Sequence, residues 1–504
     1  MIYLGIDCGT QSLKVLAWSP EKGVVGSAAR SYDLIEGLPP GHKEQHPSSW
    51  VEALESCMGE LASRVPLKEV RGVGVSGQQH GMVVLDEADR VIRPAKLWND
   101  TSTQQECDDI VAACGGLKSY QDEIGNSLPP GFTASKILWL KRHEPENYRR
   151  VRSILLPHDY LNFYLTGEKV AEYGDASGTG YFRVRERIWS QRVLRAIDSE
   201  RDLAETLPRL IHPSERAGCL RSELVKRWGL SSSTVVSSGG GDNMMGAIGS
   251  GNVRAGLMTV SLGTSGTLYC WAAEPVTDPA GEIAAFCDST GGWLPLGCTM
   301  NVTVATEMIR RQLLETDHAG MESMISNVPA GSEGLILVPF LEGERMPPVP
   351  DGTGVFLGVR PATCTRAHLA RAAMEGVTFG LRYGLERFRI LGIEPDEIRL
   401  IGGGAKSRIW RQMVADIFRT SLICPENEEG PAFGAALQAM WADQRGDIAE
   451  LTGRYVTLNP ETMHEPDGSA ADRYDEVYQL YDKVVRDLRA GDVFPAHRRL
   501  LDRL

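Results

Sequence analysis

Apolar residues in the first part of the chain come in short runs: MIYLGID, LKVLAWS and VVGSAARSY, then VRGVGVSG and MVVLD. They dominate or alternate with polar residues, and glycine or charged pairs punctuate them. This pattern predicts short strands joined by tight turns. Longer helical patterns stand among them and after them, in SWVEALESCMGELASR and SKILWLKRH. Strands and helices together predict an α/β protein. The strand pattern then starts again. LMTVSLGTSGTLYCWA, from Leu257, repeats the plan of YLGIDCGTQSLKVLAW near the N-terminus. Each has an apolar strand, a Gly-Thr turn with serine nearby and a second apolar strand. Two halves on a similar core are expected, meeting near residues 246–253. The second half carries EIRLIGGGAKSRIWRQMVADIF, a strand, a glycine turn and a helix. Trp410, Met413, Val414, Ile417 and Phe418 fall on one face of that helix. After about Asp443 the chain is charged, helical in pattern and without a chemical motif.

At 504 residues the chain exceeds what one core usually supports. A formal charge of −13 argues against nucleic acid or an anionic membrane as the main partner. Phosphate handling must then be local, through backbone N–H groups, a few basic side chains and a metal ion. The N-terminus lacks a basic region and an uninterrupted apolar stretch, so no signal peptide is expected. No run is long enough to span a bilayer. The ten cysteines are scattered without a C-x-x-C pair, and buried free thiols in a reducing cytosol are expected, Cys8, Cys270, Cys298 and Cys424 among them. Histidines do not cluster at metal-ligand spacing.

Several stretches carry candidate chemistry. DCGTQSLK, Asp7 to Lys14, is a strand-turn-strand whose successive N–H groups can cradle phosphate. Asp7 could bind Mg²⁺ through water, and Lys14 could neutralise a phosphoryl group. An ordinary β-hairpin would use the same residues. SLGTSG, Ser261 to Gly266, offers the same turn in the second half, and the pairing is more telling than either turn alone. IGGGAKS, Ile401 to Ser407, has three glycines where a tight turn needs one or two, which lets a flat ring or ribose approach the backbone. GQQHG, Gly77 to Gly81, could hydrogen-bond a polyol through Gln79 and His80, or be a capped turn. In WND, Trp98 and Asp100 pair an aromatic face with an acid, which suits sugars. SGGGDNMMGAIGSG crowds glycine around Asp242, leaving room for a hydroxyl and a phosphate. Asp242 could accept the hydroxyl proton or cap the following helix. GVGVSG lies in a strand and leads into another strand, so it is not a dinucleotide fingerprint. A P-loop is absent.

Taken in order, these motifs resemble the FGGY carbohydrate kinase family, and within it the branch acting on xylulose, over nearly the whole chain. GIDCGTQSLK and SLGTSG resemble its two phosphate loops. GQQHG and LWND resemble the sugar-binding region of that branch. GFTASKILWLKRH and GVFLGVRPATCTRAHLARAAMEG resemble the two family signatures, with LLPHDYLNFYLTGE and DASGTGYF between them. GGGDNMMGAIG resembles the segment bearing the catalytic aspartate, and IGGGAKSRIWRQMVAD with GPAFGAALQA the adenosine region. The resemblance implies a two-domain actin-like ATPase (ribonuclease H-like) fold, each domain a mixed sheet flanked by helices, with the active site in the interdomain cleft. It divides the chain into a sugar-binding domain at 1–248 and a nucleotide-binding domain at 249–504. It implies MgATP-dependent phosphorylation of a sugar or polyol, D-xylulose at O5 in that branch, by a homodimer. By position it makes Asp242 the catalytic base and, with Asp7, a magnesium-site residue. Gln79, His80, Asn243 and Asp242 become sugar contacts. Gly9, Thr10 and Lys14, with Gly263, Thr264 and Ser265, hold phosphates, and Gly403, Gly404 and Ser407 lie at the nucleotide.

The chain departs from the family pattern at Gln79, where methionine is usual, at Ser135 and His158, where proline and lysine are common, and at Arg183, where an acid is expected. These departures bear on the choice of sugar. Another ketopentose or polyol (ribulose, ribitol, L-xylulose) is the first alternative. An actin-like ATPase that phosphorylates no small molecule is a second, disfavoured by GQQHG and LWND.

Overall fold

The computed structural model describes residues 1–501 and 503. They form two compact units. The first comprises Met1–Arg254, Trp271–Pro295 and Glu429–Val456, and the second Ala255–Cys270, Leu296–Glu428 and Thr457–Leu504.

Among the described residues the first unit carries a seven-stranded sheet. Strands β1 (Ile2–Cys8), β2 (Ser12–Ser19) and β3 (Gly23–Ser31) form an antiparallel meander. On the other side of β1 lies β4 (Val70–Gly77), parallel to it. Next to β4 lies β6 (Val235–Ser237), with β5 (Arg216–Cys219) outside it at the edge, and the short β7 (Gly240–Gly241) pairs with the end of β4. The second unit repeats the plan. Strands β8 (Leu257–Leu262), β9 (Gly266–Cys270) and β10 (Leu296–Thr299) form the meander, and β11 (Glu397–Ile401) lies parallel to β8. Strands β12 (Leu422–Pro425) and β13 (Leu458–His464) complete that sheet. The similarity of the two hairpin sequences therefore reflects two sheets of one topology, each mixed and flanked by helices.

Helix α1 (Pro47–Ala62) covers β2 and β3, and buries Trp50, Leu54, Met58 and Leu61. The pattern SKILWLKRH forms α2 (Thr133–His143), and LLPHDYLNFYLTGE leads into α3 (Pro157–Thr166). Asp242–Gly249 is α4. In the second unit Arg366–Ile390 is α5 and Arg408–Phe418 is α6, with all five residues of the expected apolar face buried. MVVLD contributes Val83–Leu85, which pairs with Ser153–Leu155 away from the main sheet.

Two differences from expectation have physical causes. A single cut at 248/249 does not describe the units, because α7 (Gly430–Gln444) packs on β1, β4 and α4 of the first one. Helix and sheet touch backbone to backbone there. A Cβ on Gly5 would lie 1.7 Å from the Ala432 carbonyl oxygen, and one on Gly74 2.1 Å from that of Ala435. Glycine in β1 and β4 facing alanine in α7 allows this approach. The tail after Asp443 is not all helical, since β13 adds an edge strand. All ten cysteines are free thiols; Cys8, Cys270 and Cys424 are buried and Cys298 is half-buried. Among the described residues no helix is long and apolar enough to cross a membrane.

Candidate active site

Strand β4 runs parallel to both β1 and β7, with Asp7 opposite Ser76 and Gly240 and Gly241 opposite Ser76 and Gly77. Asp7, near the end of β1, and Asp242, directly after β7, therefore reach the same carboxyl-terminal edge, where open α/β sheets bind ligands. Both are partly exposed. Ser76 Oγ donates to Asp7 Oδ1 at 2.8 Å. Asp242 is the first residue of α4, and Gly241 takes the cap position without a side-chain cap. Asp242 Oδ1 accepts from the Asn243 backbone N–H at 2.8 Å and from Asn243 Nδ2 at 3.0 Å. Oδ2 has no hydrogen bond among the described residues. Burial pushes Asp242 up to about 7, with the charge of Asp7 adding to the effect. Burial also pushes Asp7 up to about 6, Ser76 opposing it and Glu429 adding to it.

Asn243 Nδ2 also donates to Gln79 Oε1 at 2.9 Å, and Gln79 Nε2 lies 3.3 Å from Met244 Sδ. Gln79 is 5 % exposed, so its amide chiefly holds Asn243. His80 is partly exposed and left-handed, with φ 64°. Its carbonyl accepts from Lys136 Nζ at 2.8 Å and Thr133 Oγ1 at 3.1 Å, so the GFTASK segment fixes the strained residue. Its ring packs between Phe132 and Phe286. A Cβ on Gly178 of DASGTG would fall 1.8 Å from that ring. Behind these residues lies a fully buried group, His158, Asp159, Glu172 and Asp175, with His158 Nδ1 2.7 Å from Asp175 Oδ2. Burial pushes Asp159 and Glu172 up to about 7 and Asp175 to about 8. Among the departures from the family pattern, His158 thus partners Asp175. Buried Ser135 bonds Thr103 at 2.9 Å, and Arg183 pairs with Glu186 at 3.2 Å.

Gly9 and Thr10 form the turn between β1 and β2, with Lys14 opposite Asp7. Lys14 Nζ pairs with Glu429 Oε1 at 2.5 Å. The turn carbonyls are engaged: Gly9 O accepts from the Tyr32 hydroxyl at 2.6 Å, and Thr10 O from Gln45 Nε2 at 2.6 Å. In the second unit Gly263, Thr264 and Ser265 join β8 to β9. There the Gly263 and Thr264 carbonyls accept backbone N–H groups of Thr303 and Val302, at 2.9 and 3.1 Å. The glycines after β11 divide their work. A Cβ on Gly403 would meet nothing within 4 Å, whereas one on Gly404 would strike Leu262 and the Trp410 ring, at 2.8 and 2.9 Å. Ser407 caps α6 through the Trp410 N–H. Gly403 is the open position, and Leu262 places it beside the second turn.

One sugar-side expectation changes. Asp100 is fully buried and makes no open contact. Its carboxylate pairs with Lys96 Nζ at 2.8 Å and accepts from the Lys43 N–H and from Ser102. Burial opposes its charge, but these partners outweigh it and hold the carboxyl below its usual range. Among the described residues the one geometric metal-like trio is His42, Glu44 and Asp100, and Lys96 Nζ already sits against all three. Trp98 is partly exposed, and its indole N–H donates to Thr10 Oγ1 at 2.9 Å.

The structure thus brings Asp7, Gly9, Thr10, Lys14, Gln79, His80, Trp98, Asp242 and Asn243 together in the first unit. In the second it gathers Gly263–Ser265 with Gly403, Gly404 and Ser407. Sequence reasoning missed Tyr32, Gln45, Gln78, Lys136 and Asp175, which hold these residues. Gln78 in GQQHG, Lys136 in GFTASK and Asp175 in DASGTG stand inside the motifs, whereas Tyr32 and Gln45 lie outside them.

Residues 2–249 match the N-terminal domain of the FGGY family of carbohydrate kinases, and residues 258–442 match its C-terminal domain. A xylulose kinase of Haemophilus influenzae is 41 % identical over 492 residues, covering 95 % of this chain and 98 % of that protein. The crystal structure of a xyloylose kinase from Brucella ovis superposes with a TM-score of 0.91 at 32 % identity, covering 97 % of this chain and all of that one. The gluconate kinase of Lactobacillus acidophilus reaches a TM-score of 0.90 at 24 % identity, covering 97 % and 98 %, which shows a shared fold. Two matched domains spanning most of the chain, on two sheets of one topology, establish that this protein belongs to the FGGY family of carbohydrate kinases.

Proposed function

We propose that the protein transfers the γ-phosphoryl group of ATP to O5 of D-xylulose, giving D-xylulose 5-phosphate. The observation that carries the mechanism is Asp242. Asn243 fixes its Oδ1 and Oδ2 remains open, while a proton affinity raised to about 7 suits a base at neutral pH. The O5 proton passes to Oδ2 as O5 bonds to the γ-phosphorus. The bond from phosphorus to the β–γ bridging oxygen breaks, and its electron pair leaves with ADP. His80 and Asn243 orient the sugar, and Gln79 holds Asn243. The turns at Gly9–Thr10 and Gly263–Ser265 hold the phosphates, Lys14 exchanges Glu429 for a phosphoryl oxygen, and Gly403, Gly404 and Ser407 border the nucleotide. Asp7 and Asp242, two partly exposed oxygen donors whose charges are poorly offset, fit a magnesium ion that keeps most of its water. When bound, Mg²⁺ neutralises charge on the β- and γ-oxygens.

Relatives named xylulose kinase support the sugar, whereas the fold alone does not choose it. A coupled assay of ADP production tests the reading over D-xylulose, L-xylulose, D-ribulose, L-ribulose, ribitol, xylitol, gluconate and glycerol. D-xylulose is expected to give the highest kcat/KM. A better substrate in the panel would replace it, and ADP release independent of sugar would favour a plain ATPase. We further infer a cytosolic homodimer, supported by the free thiols and the family, which sedimentation velocity checks for the dimer.

A further inference from the structure

The turn between β1 and β2 is gripped by hydrogen bonds whose direction is forced from both ends. At one end the Trp50 indole N–H donates to Gln45 Oε1 at 3.0 Å, and at the other the Trp98 indole N–H donates to Thr10 Oγ1 at 2.9 Å. An indole N–H can only donate. Gln45 Oε1 is therefore the acceptor, and Gln45 Nε2 donates to the Thr10 carbonyl at 2.6 Å. Gln78 Nε2 donates to the same Gln45 Oε1 at 3.2 Å and to the Gly9 carbonyl at 3.4 Å. Gln78 Oε1 must then accept, and it takes the Thr10 hydroxyl proton at 3.2 Å. Trp50, Gln45 and Gln78 are at most 1 % exposed, so water does not compete for the bonds among these three, whereas Thr10 and Trp98 are partly exposed.

A threonine hydroxyl has one proton. With that proton on Gln78 and the Trp98 N–H on the oxygen, the side chain of Thr10 has no donor left for a phosphate. We propose that Trp98 and Gln78 are positioning residues that lock the Thr10 hydroxyl between them, so that the turn meets the triphosphate through backbone N–H groups. Trp98 thereby ties the sugar-side LWND segment to the nucleotide turn: its N–H serves the turn, and its ring face remains beside the sugar. This inference rests on the reading of residues 9–14 as a phosphate site.

The test uses W98F, which keeps an aromatic face and deletes the N–H, with T10V, T10S and the W98F/T10V pair. ATP and D-xylulose are varied separately, MgADP affinity is measured by calorimetry, and melting curves are recorded for every protein. W98F is expected to weaken nucleotide binding and KM for ATP about three- to tenfold, the worth of one lost hydrogen bond, with a smaller change in KM for the sugar. T10V, which breaks the bond to Gln78 as well, should weaken nucleotide binding at least as much, and T10S should recover most of the loss. The pair should cost no more than T10V alone, because both changes remove the same link. Additive losses, or a W98F effect confined to the sugar KM, would overturn the proposal. Should T10V fail to fold, the MgADP affinity of W98F decides. If the wild type binds MgADP but shows no sugar-dependent turnover, the kinase reading fails, and the link is still judged on MgADP affinity.

Discussion

In the first hairpin Asp7 faces Lys14; at the corresponding place in the second, Ser261 faces Thr267. The first turn is braced by side chains drawn from distant segments, Tyr32, Gln45, Gln78 and Trp98, whereas the second is braced by backbone N–H groups at 302 and 303. One topology has thus been given a charged, side-chain-supported copy and an uncharged, backbone-supported copy. Reactive groups gather on the first, where positions 7 and 242 share one sheet edge. A backbone brace tolerates sequence change; a side-chain brace can be lost by a single substitution.

The largest predicted effects test that asymmetry of charge. Asp242→Asn should lower kcat by at least the roughly 10²–10⁴-fold typical of general-base removal while leaving a folded protein. Asp7→Asn should also lower kcat severely, whereas Ser261→Ala, at the matching place in the second hairpin, should change it only a few-fold. Steady-state kinetics with folding checked by circular dichroism decide the matter. Near-normal turnover in Asp242→Asn would remove the base, and equal damage from Ser261→Ala would erase the asymmetry.

Packing sharpens the same contrast. Gly5 in β1 corresponds to Thr259 in β8, and a Cβ at Gly5 would overlap the Ala432 carbonyl at 1.7 Å. Gly5→Ala should therefore cost about 3 kcal/mol or more and yield poorly soluble protein, since α7 must move as a unit. Thr259→Ala should cost less, because it leaves a small void in place of a clash. Gly403→Ala meets open space and should leave the denaturation midpoint unchanged while weakening nucleotide binding. A normal midpoint for Gly5→Ala would mean that α7 is not seated on β1.

Much of this was legible in the chain. The repeated hairpin, the strands around it and the apolar face of α6 follow from periodicity that burial imposes. Asp242 stands out because a glycine-rich strand end leaves it room. The brace of the first turn was not legible, because Tyr32, Gln45 and Gln78 are polar residues scattered through the sequence, and nothing in a polar residue reveals that it is buried. Asp100 misled for the opposite reason. In LWND it looks like a sugar ligand, yet Lys96, four residues earlier, claims it inside the protein. The return of α7 to the first unit was hidden because an all-round apolar helix announces burial but not its partner. The glycines of β1 and β4 hold that information in retrospect.

The smallest predicted effect concerns the buried acids, where the two units differ again. In the second unit Glu375 has Arg371 at 2.7 Å. In the first, Asp159, Glu172 and Asp175 have only the imidazole of His158 as a basic neighbour among the groups that affect them most, and burial raises them to about 7, 7 and 8. In the unfolded chain such groups titrate near pH 4. Between about pH 4 and 8 the folded state therefore holds more protons than the unfolded one, and stability must fall as pH rises through that window. The melting temperature should decline between pH 5 and 9. Asp175→Asn, which fixes the neutral form of the side chain, should flatten that decline, so that the variant compares more favourably with the wild type at pH 8 than at pH 5. Glu375→Gln should flatten it less, because the Arg371 charge opposes the burial that raises the Glu375 carboxyl. Calorimetric melts across the range measure both slopes, and an unchanged slope in Asp175→Asn would show that the acids behind His80 do not set the pH response.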